Sequence, residues 1–149
     1  MENKYVLKTG SENMDIKLIH SFISQSYWAE NIPFDTLKLA IEHSLCFGIF
    51  ITDTKDGDHQ HQVAFARVIT DKATFAYLAD VFVLAEHRGK GLSKRMMEAV
   101  MQHPELQGLR RFMLATKDAH QLYQQFGFTK SANPTSLMEK WNPNIYKLN

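Results

Sequence analysis

The sequence lacks the features that mark secreted, membrane-spanning and nucleic-acid-binding proteins. It has one cysteine, Cys46, which excludes a disulfide within the chain and favours a reducing compartment. No apolar stretch approaches the ~20 residues that a transmembrane helix needs, and residues 1–4 contain no apolar signal-peptide region. The 17 basic and 16 acidic side chains nearly cancel, so no broad surface charge attracts nucleic acid or a membrane. We therefore expect a cytoplasmic protein with neither of these partners.

Glycine and proline are also sparse, at 7 and 4 residues, and they form no linker that would divide the chain. A length of 149 residues with 44% hydrophobic side chains suffices for one core, so we expect a single domain over residues 1–149. Cys46 lies in the apolar run 45–49, which favours a buried, inert thiol over a nucleophile. His59 and His61 lack the cysteine or carboxylate partners of a zinc site, so no metal is predicted.

The spacing of apolar residues predicts an α/β domain with helices on both faces of a mixed sheet. Helical periodicity covers residues 15–26 and resumes after Asp35, a predicted N-cap, to residue 44. Three apolar runs joined by short links predict consecutive antiparallel strands, at 45–52, 62–70 and 74–84. The other predicted elements are strands at 5–8 and 111–115, helices at 91–103 and 119–126, and closing strands at 128–130 and 136–141.

A glycine-containing turn connects the third apolar run to a predicted helix. It reads Arg88-Gly89-Lys90-Gly91-Leu92-Ser93. The N-terminus of a helix presents unpaired N–H groups and a partial positive charge, and glycine lets an anion approach the backbone closely. The spacing matches neither a P-loop nor a dinucleotide-binding fingerprint. Taken alone, the turn is compatible with a phosphate site or with a tight connection carrying basic surface residues.

Two segments resemble the GNAT superfamily of acyl-CoA-dependent N-acyltransferases. Residues 80–91, DVFVLAEHRGKG, resemble its central strand followed by an R/Q-x-x-G-x-G/A turn, whose amides bind the pyrophosphate of CoA. Residues 119–128, AHQLYQQFGF, resemble its A-x-x-L-Y-x-x-x-G-F segment. The resemblance covers roughly residues 62–130. It implies one GNAT-like domain with a mixed, mostly antiparallel sheet of about six or seven strands and about four helices.

The resemblance also implies a set of ligand contacts. The turn from Arg88 to Ser93 would bind the pyrophosphate of acetyl-CoA, which is the co-substrate. Backbone groups of Val81, Phe82 and Val83 would contact the acyl-CoA, and a bulge in that strand would free an amide for the thioester oxygen. Ser93 stands where the family usually has glycine or alanine, and Thr116 stands where asparagine is frequent.

Tyr123 and Asp80 are the predicted catalytic residues. The resemblance assigns to Tyr123 the proton that the departing CoA thiolate needs, although the ring would also pack well between Leu122 and Phe126. Asp80 interrupts an apolar strand, and burying an unpaired carboxylate is costly. It is therefore expected either to receive the acceptor's ammonium group or its proton, or to pair with Arg67 on the neighbouring strand.

The acceptor is the part of the function that the sequence leaves open. The leading prediction is acetyl transfer from acetyl-CoA to a primary amine by direct attack in a ternary complex. The short chain favours a small-molecule amine over a protein or peptide, and a non-catalytic acyl-CoA-binding regulator is the alternative from another class. Tyr27, Trp28 and Phe34 would line an acceptor pocket or pack in the core, the latter being favoured. Homodimer formation is left open.

Overall fold

The computed structural model describes residues 4–53, 55, 57 and 59–148. The strands, in chain order, are β1 (Tyr5–Thr9), β2 (Leu45–Asp53), β3 (His59–Thr70), β4 (Phe75–Val83) and β5 (Arg111–Leu114). The α-helices are α1 (Ile16–Ile23), α2 (Phe34–Glu42), α3 (Leu92–Gln102) and α4 (His120–Gln124). The predicted α/β class is confirmed. Thr54, Asp56 and Asp58, in the predicted turn after β2, lie outside the described residues, as do residues 1–3.

The strands form one sheet in the order β1-β2-β3-β4-β5. The first four pair in antiparallel fashion, whereas β5 lies parallel to β4 because α3 carries the chain back across the sheet. Among the described residues the sheet has five strands, so the expected six or seven is too many. The predicted closing strands at 128–130 and 136–141 are wrong for this chain, because neither segment pairs its backbone with β5.

The first two helices begin at different kinds of residue. Asp15 caps α1 with a carboxylate oxygen that accepts a hydrogen bond from the Leu18 amide at 3.1 Å. The prediction that Asp35 caps α2 is wrong, since that helix begins at Phe34 with Pro33 as its N-cap. Asp35 instead lies in the first turn, where its negative charge interacts favourably with the helix dipole.

The core has two parts, one on each face of the sheet. Alternation along β2 sends Phe47 and Ile49 towards α3, and sends Cys46 and Phe50 towards α1 and α2. Both faces are therefore covered by helices, as the near-continuous apolar runs predict. Cys46 is buried as expected, and burial raises the pKa of its thiol to about 12, so the thiol stays protonated and inert.

No helix among the described residues is both long and apolar enough to cross a membrane.

Helix α2 offers a matched pair of substitutions that tests which of its faces is buried. Leu37 is completely buried, whereas Leu39, two residues on, is 57% exposed. We expect Leu37→Ala to lower the free energy of unfolding by about 2–5 kcal/mol, because it leaves a cavity. Leu39→Ala should change it by less than about 0.5 kcal/mol. Urea denaturation of both variants checks this, and equal losses would contradict the assigned orientation of α2.

Candidate active site

A cleft of about 870 Å³ opens where β4 and β5 separate. The two strands pair only as far as Leu78 and Leu114, after which β5 ends and β4 continues to Val83. Beyond Leu78, one edge of β4 therefore has no strand beside it among the described residues. The predicted site residues that line the cleft are Asp80, Val81, Phe82, Val83, Arg88, Ser93 and Tyr123.

A bulge lies in β4 at the edge of the cleft. Asp80 and Val81 together face the single residue Ala66 on β3, so β4 contains one extra residue. The backbone of Asp80 is left-handed there, with a φ of +56°. This conformation costs about 1–3 kcal/mol in a residue other than glycine, although aspartate tolerates it better than a branched side chain does. The bulge that the family resemblance implies is thus present at the expected strand.

The side chain of Asp80 accepts hydrogen bonds on both of its carboxylate oxygens. The Arg67 guanidinium donates to one oxygen at 2.8 Å, and the Trp28 indole donates to the other at 2.8 Å. Arg67 also donates to the Ser44 hydroxyl at 3.2 Å. The side chains of Arg67 and Asp80 are 14% and 6% exposed, so this ion pair is largely withdrawn from water. One of the two expected roles of Asp80, the pairing with Arg67, is present, and both residues also line the cleft.

The glycine turn has an open surface in front of its backbone. Gly89 and Gly91 have φ values of +76° and +75°, and Gly91 is the N-cap of α3. A Cβ atom built at either glycine would meet no atom within 4 Å. A side chain there would be strained by the backbone and would occupy the space in front of the helix N-terminus. The turn therefore fits an anionic group that approaches the first amides of α3.

The other members of the turn differ in what they can offer a ligand. Arg88 donates from its guanidinium to the carbonyl of Val83 at 2.9 Å, which ties the turn to the end of β4. Lys90 places its ammonium 5.8 Å from the ring centroid of Tyr5. Leu92 is buried in the core, so only its backbone can face a ligand. Ser93 lines the cleft and brings a hydroxyl to it.

Tyr123 is carried into the cleft by α4. Its side chain is only 7% exposed, and its ring packs edge-on against Phe128 with centroids 6.1 Å apart. Burial raises the pKa of the Tyr123 hydroxyl above its usual value of 10, and nearby Asp118 and Tyr27 act in the same direction. The hydroxyl therefore stays protonated at neutral pH. Tyr123 therefore both packs its ring against the core and lines the cleft.

Two aromatic residues for which the sequence favoured core packing lie on the cleft instead. Tyr27 and Trp28 are 67% and 43% exposed, and both line it. They follow the end of α1. Their position in a loop between two helices is the one sequence feature that could have predicted a place on the cleft, because binding residues often lie on loops. Phe34 does not line the cleft, and its ring packs against His20 with centroids 5.3 Å apart.

Two polar residues beside the motifs, His87 and Thr116, have local structural partners. His87 lies 2.9 Å from the Tyr5 hydroxyl through its Nδ1, and it does not line the cleft. Thr116 accepts a hydrogen bond from the Ala119 amide at 3.0 Å, just before α4. The part of the chain that the structure describes contains no group of three or more histidine, cysteine or acidic residues placed to hold a metal.

The chain is similar to known acetyltransferases in sequence and in fold. A protein of Gibberella zeae, named as a candidate acetyltransferase, is 32% identical, over 80% of this chain and 75% of that protein. A crystal structure of a candidate GNAT acetyltransferase from Xanthomonas campestris pv. campestris is 55% identical, with a TM-score of 0.89 over 97% of this chain and 98% of that chain.

A crystal structure of a candidate acetyltransferase from Clostridium acetobutylicum, with acetyl-CoA, shares the fold alone, at 14% identity and a TM-score of 0.61, over 93% of this chain and 96% of that one. A model of the Acetyltransferase (GNAT) family matches residues 16–128, which is most of the chain and includes the bulge, the glycine turn and Tyr123. The chain therefore belongs to the GNAT family of acetyltransferases.

Proposed function

We propose that this protein transfers an acetyl group from acetyl-CoA to a primary amine by direct attack in a ternary complex. The observation that carries this proposal is the convergence of three groups on one cleft. These are the open glycine turn at the start of α3, whose first and last residues Arg88 and Ser93 line the cleft, the free edge of β4 beyond its bulge, and the protonated hydroxyl of Tyr123. Each supplies one requirement of acyl transfer: donor binding, polarisation of a carbonyl oxygen, and a proton for the leaving group.

The donor half of the cleft consists of backbone donors and acceptors. The first amides of α3 would hold the pyrophosphate of acetyl-CoA, with Gly89 and Gly91 leaving room for it. Val81, Phe82 and Val83 line the cleft along the free edge of β4, where their backbone groups would bind the extended arm of the donor as a neighbouring strand does. The acetyl-CoA reported with the Clostridium acetobutylicum structure supports this reading at the level of the fold.

Tyr123 would act on the leaving group. Its hydroxyl would donate a proton to the departing thiolate sulfur, and the raised pKa ensures that this proton is present at neutral pH. Because α4 and Phe128 hold the ring in place, the hydroxyl is positioned without a loss of side-chain freedom during the reaction.

Asp80 would act on the acceptor. Its two hydrogen bonds leave further lone pairs on the carboxylate, which lines the cleft. We assign it the binding and orientation of the incoming ammonium group. Since Arg67 compensates the charge of Asp80, Asp80 is better suited to orient the ammonium group than to act as its base. The ammonium group would lose its proton to solvent water, and the free amine would then attack the thioester carbon.

The acceptor half of the cleft favours an amine that carries an apolar body. Its aromatic lining consists of Phe22, Tyr27, Trp28, Tyr77, Phe82 and Tyr146. The whole cleft, donor half included, has a volume of about 870 Å³, so the acceptor half is smaller and fits a small molecule. Aromatic faces also attract a cationic group, which suits the protonated form in which an amine arrives. We therefore propose a small-molecule amine as the acceptor. We also propose that the enzyme is cytoplasmic, which is consistent with its single, buried cysteine.

A non-catalytic acyl-CoA sensor is the competing function, and the engagement of Asp80 by Arg67 and Trp28 is the observation that favours it. Release of free thiol from acetyl-CoA, measured across a panel of aliphatic and aromatic amines, separates the two. If the protein is an enzyme, at least one amine should cause release of free thiol from acetyl-CoA. Tight binding of acetyl-CoA without release by any amine would favour the sensor.

Gly91→Glu is expected to abolish binding of acetyl-CoA, because the new carboxylate would occupy the phosphate position and repel it. Isothermal titration calorimetry measures the affinity. Gly108→Glu is a matched control, since Gly108 has a similar φ of +71° and equally open surroundings but lies in the loop before β5 and not at the N-terminus of a helix. Equal affinities in the two variants would mean that the turn does not bind the donor.

Tyr123→Phe is expected to lower kcat by about 10²-fold or more, the usual contribution of a general acid. The affinity for acetyl-CoA should change by less than about twofold, since the proton is needed only in the transition state. Steady-state kinetics with a direct binding assay checks both values. Tyr77→Phe is the control, because it keeps the aromatic ring that lines the acceptor half and removes only a hydroxyl that has no assigned role in proton transfer, so kcat should be retained. Wild-type turnover in Tyr123→Phe would reduce Tyr123 to a packing residue.

Asp80→Asn is expected to raise KM for the acceptor amine by about tenfold or more, the effect of losing a charge-assisted hydrogen bond. KM for acetyl-CoA should stay near its wild-type value. Asp118→Asn removes a second carboxylate from the cleft wall and serves as the control. Circular dichroism establishes that the variant is folded despite the loss of the partner of Arg67. An unchanged acceptor KM would remove Asp80 from the acceptor site.

A further inference from the structure

Tyr27 and Lys117 meet across the cleft, although they belong to different walls of it. Tyr27 lies in the loop between α1 and α2, whereas Lys117 lies in the link between β5 and α4. The Lys117 ammonium is 5.3 Å from the centroid of the Tyr27 ring, which is within the range of a cation–π interaction. Both residues line the cleft. Their contact therefore joins the two walls.

This contact lies on the acceptor side of the cleft. Ile23 and Ile32, which flank the loop that carries Tyr27, pack in the core cluster beneath α1 and α2. The glycine turn leads into α3, which covers the opposite face of the sheet. Tyr27 also packs edge-on against Trp28, with centroids 5.1 Å apart, and the Trp28 indole donates to Asp80. The contact is therefore near the carboxylate assigned to the acceptor and away from the turn assigned to the pyrophosphate.

The Tyr27 side of the contact is fixed by hydrogen bonds within its loop. The Ser26 hydroxyl donates to the carbonyl of Ile23 at 2.6 Å and accepts from the amide of Ala29 at 3.2 Å. Trp28, the next residue after Tyr27, is held by the hydrogen bond of its indole. The Tyr27 side chain is 67% exposed, yet the backbone that carries it is bonded on both sides. A ligand would therefore meet this ring where it stands.

The Lys117 side of the contact can move. The Thr116 hydroxyl accepts from the amide of Ala119 at 3.0 Å, which holds the backbone around Lys117. The Lys117 side chain is exposed and forms no salt bridge among the described residues. Its flexible four-carbon stem can rotate away from the ring. Because an exposed cation–π contact shifts an equilibrium by only about two- to fivefold, this rotation alone would open the contact.

We propose that Tyr27 and Lys117 form a gate over the acceptor half of the cleft, which admits slender primary amines and disfavours bulky ones. A slender amine would reach Asp80 beneath the closed contact. A wider body would have to displace the Lys117 side chain and would still meet the Tyr27 ring. This inference rests on the proposed amine acceptor, and it narrows the substrate class to amines whose body is no wider than a single aromatic ring.

Release of free thiol from acetyl-CoA with two amines tests the gate. Benzylamine and its para-phenyl derivative carry the same reacting group and differ by one ring, so the ratio of their kcat/KM values measures selection by size. The wild type should prefer benzylamine by about tenfold or more. Tyr27→Ala should abolish this preference, because it removes the fixed ring. Lys117→Ala should lower it by about two- to fivefold, the effect of the contact itself.

Two control variants separate the gate from other effects of substitution. Tyr27→Phe keeps the aromatic ring and should keep the wild-type preference. Lys8→Ala removes an ammonium that lies 4.9 Å from the Phe50 ring, a similar contact outside the cleft, and should also keep the preference. Because the side chains of Tyr27 and Lys117 are exposed, their variants should retain the circular dichroism spectrum of the wild type.

Tryptophan fluorescence measures acceptor binding without turnover. The sequence contains two tryptophans, so Trp141→Phe leaves Trp28, which packs against Tyr27, as the single reporter. Titration of this variant should show tighter binding of benzylamine than of its para-phenyl derivative. Adding Lys117→Ala should reduce that difference by about two- to fivefold.

The outcomes distinguish a failure of the gate from a failure of the proposed reaction. Selective binding of benzylamine without thiol release would support the gate and contradict the proposed enzyme. Equal use of both amines by the wild type would overturn the gate, and so would a preference that survives Tyr27→Ala or Lys117→Ala unchanged. If neither amine binds or releases thiol, the acceptor is not an amine of this class and the inference is wrong.

Discussion

The ion pair between Arg67 and Asp80 joins β3 to β4 at the one place where β4 leaves regular strand geometry. Asp80 adopts a left-handed backbone there, a conformation that costs about 1–3 kcal/mol and persists only when its surroundings hold it. Two hydrogen bonds to its carboxylate, from Arg67 and Trp28, provide that hold. These contacts hold the bulge in place and fix Trp28 on the wall of the cleft.

The separation of β4 from β5 follows from the same region of the sheet. Pairing stops at Leu78 and Leu114, so the chain after β5 is free to lead into α4 and to bring Tyr123 across from the start of α3. In the proposed mechanism, donor binding and leaving-group chemistry fall to two helices, while β4 between them supplies backbone groups. Such a division places the reacting groups on rigid elements rather than on mobile loops.

The last strand of the sheet, β5, shapes two surfaces. Because β5 ends at Leu114, β4 is left free to line the cleft, and the outer edge of β5 borders a groove beside α4 that shares Tyr123 with that cleft. The exposed apolar segment after residue 136 and the outer edge of β5 are both costly features, since each leaves apolar or hydrogen-bonding surface in water.

The sequence alone determined the α/β class, the antiparallel order of the strands from β2 to β4, the burial of Cys46 and the glycine turn before α3, because these depend on local periodicity and on short links. It also limited Asp80 to two roles, since a carboxylate in an apolar strand needs a partner. Tertiary structure decided that this partner is Arg67 and that Tyr27 and Trp28 line the cleft. It also decided that residues 128–130 and 136–141 are not strands of this chain. These outcomes depend on contacts between residues far apart in sequence, and on whether a neighbouring edge is available for pairing, which no local pattern specifies.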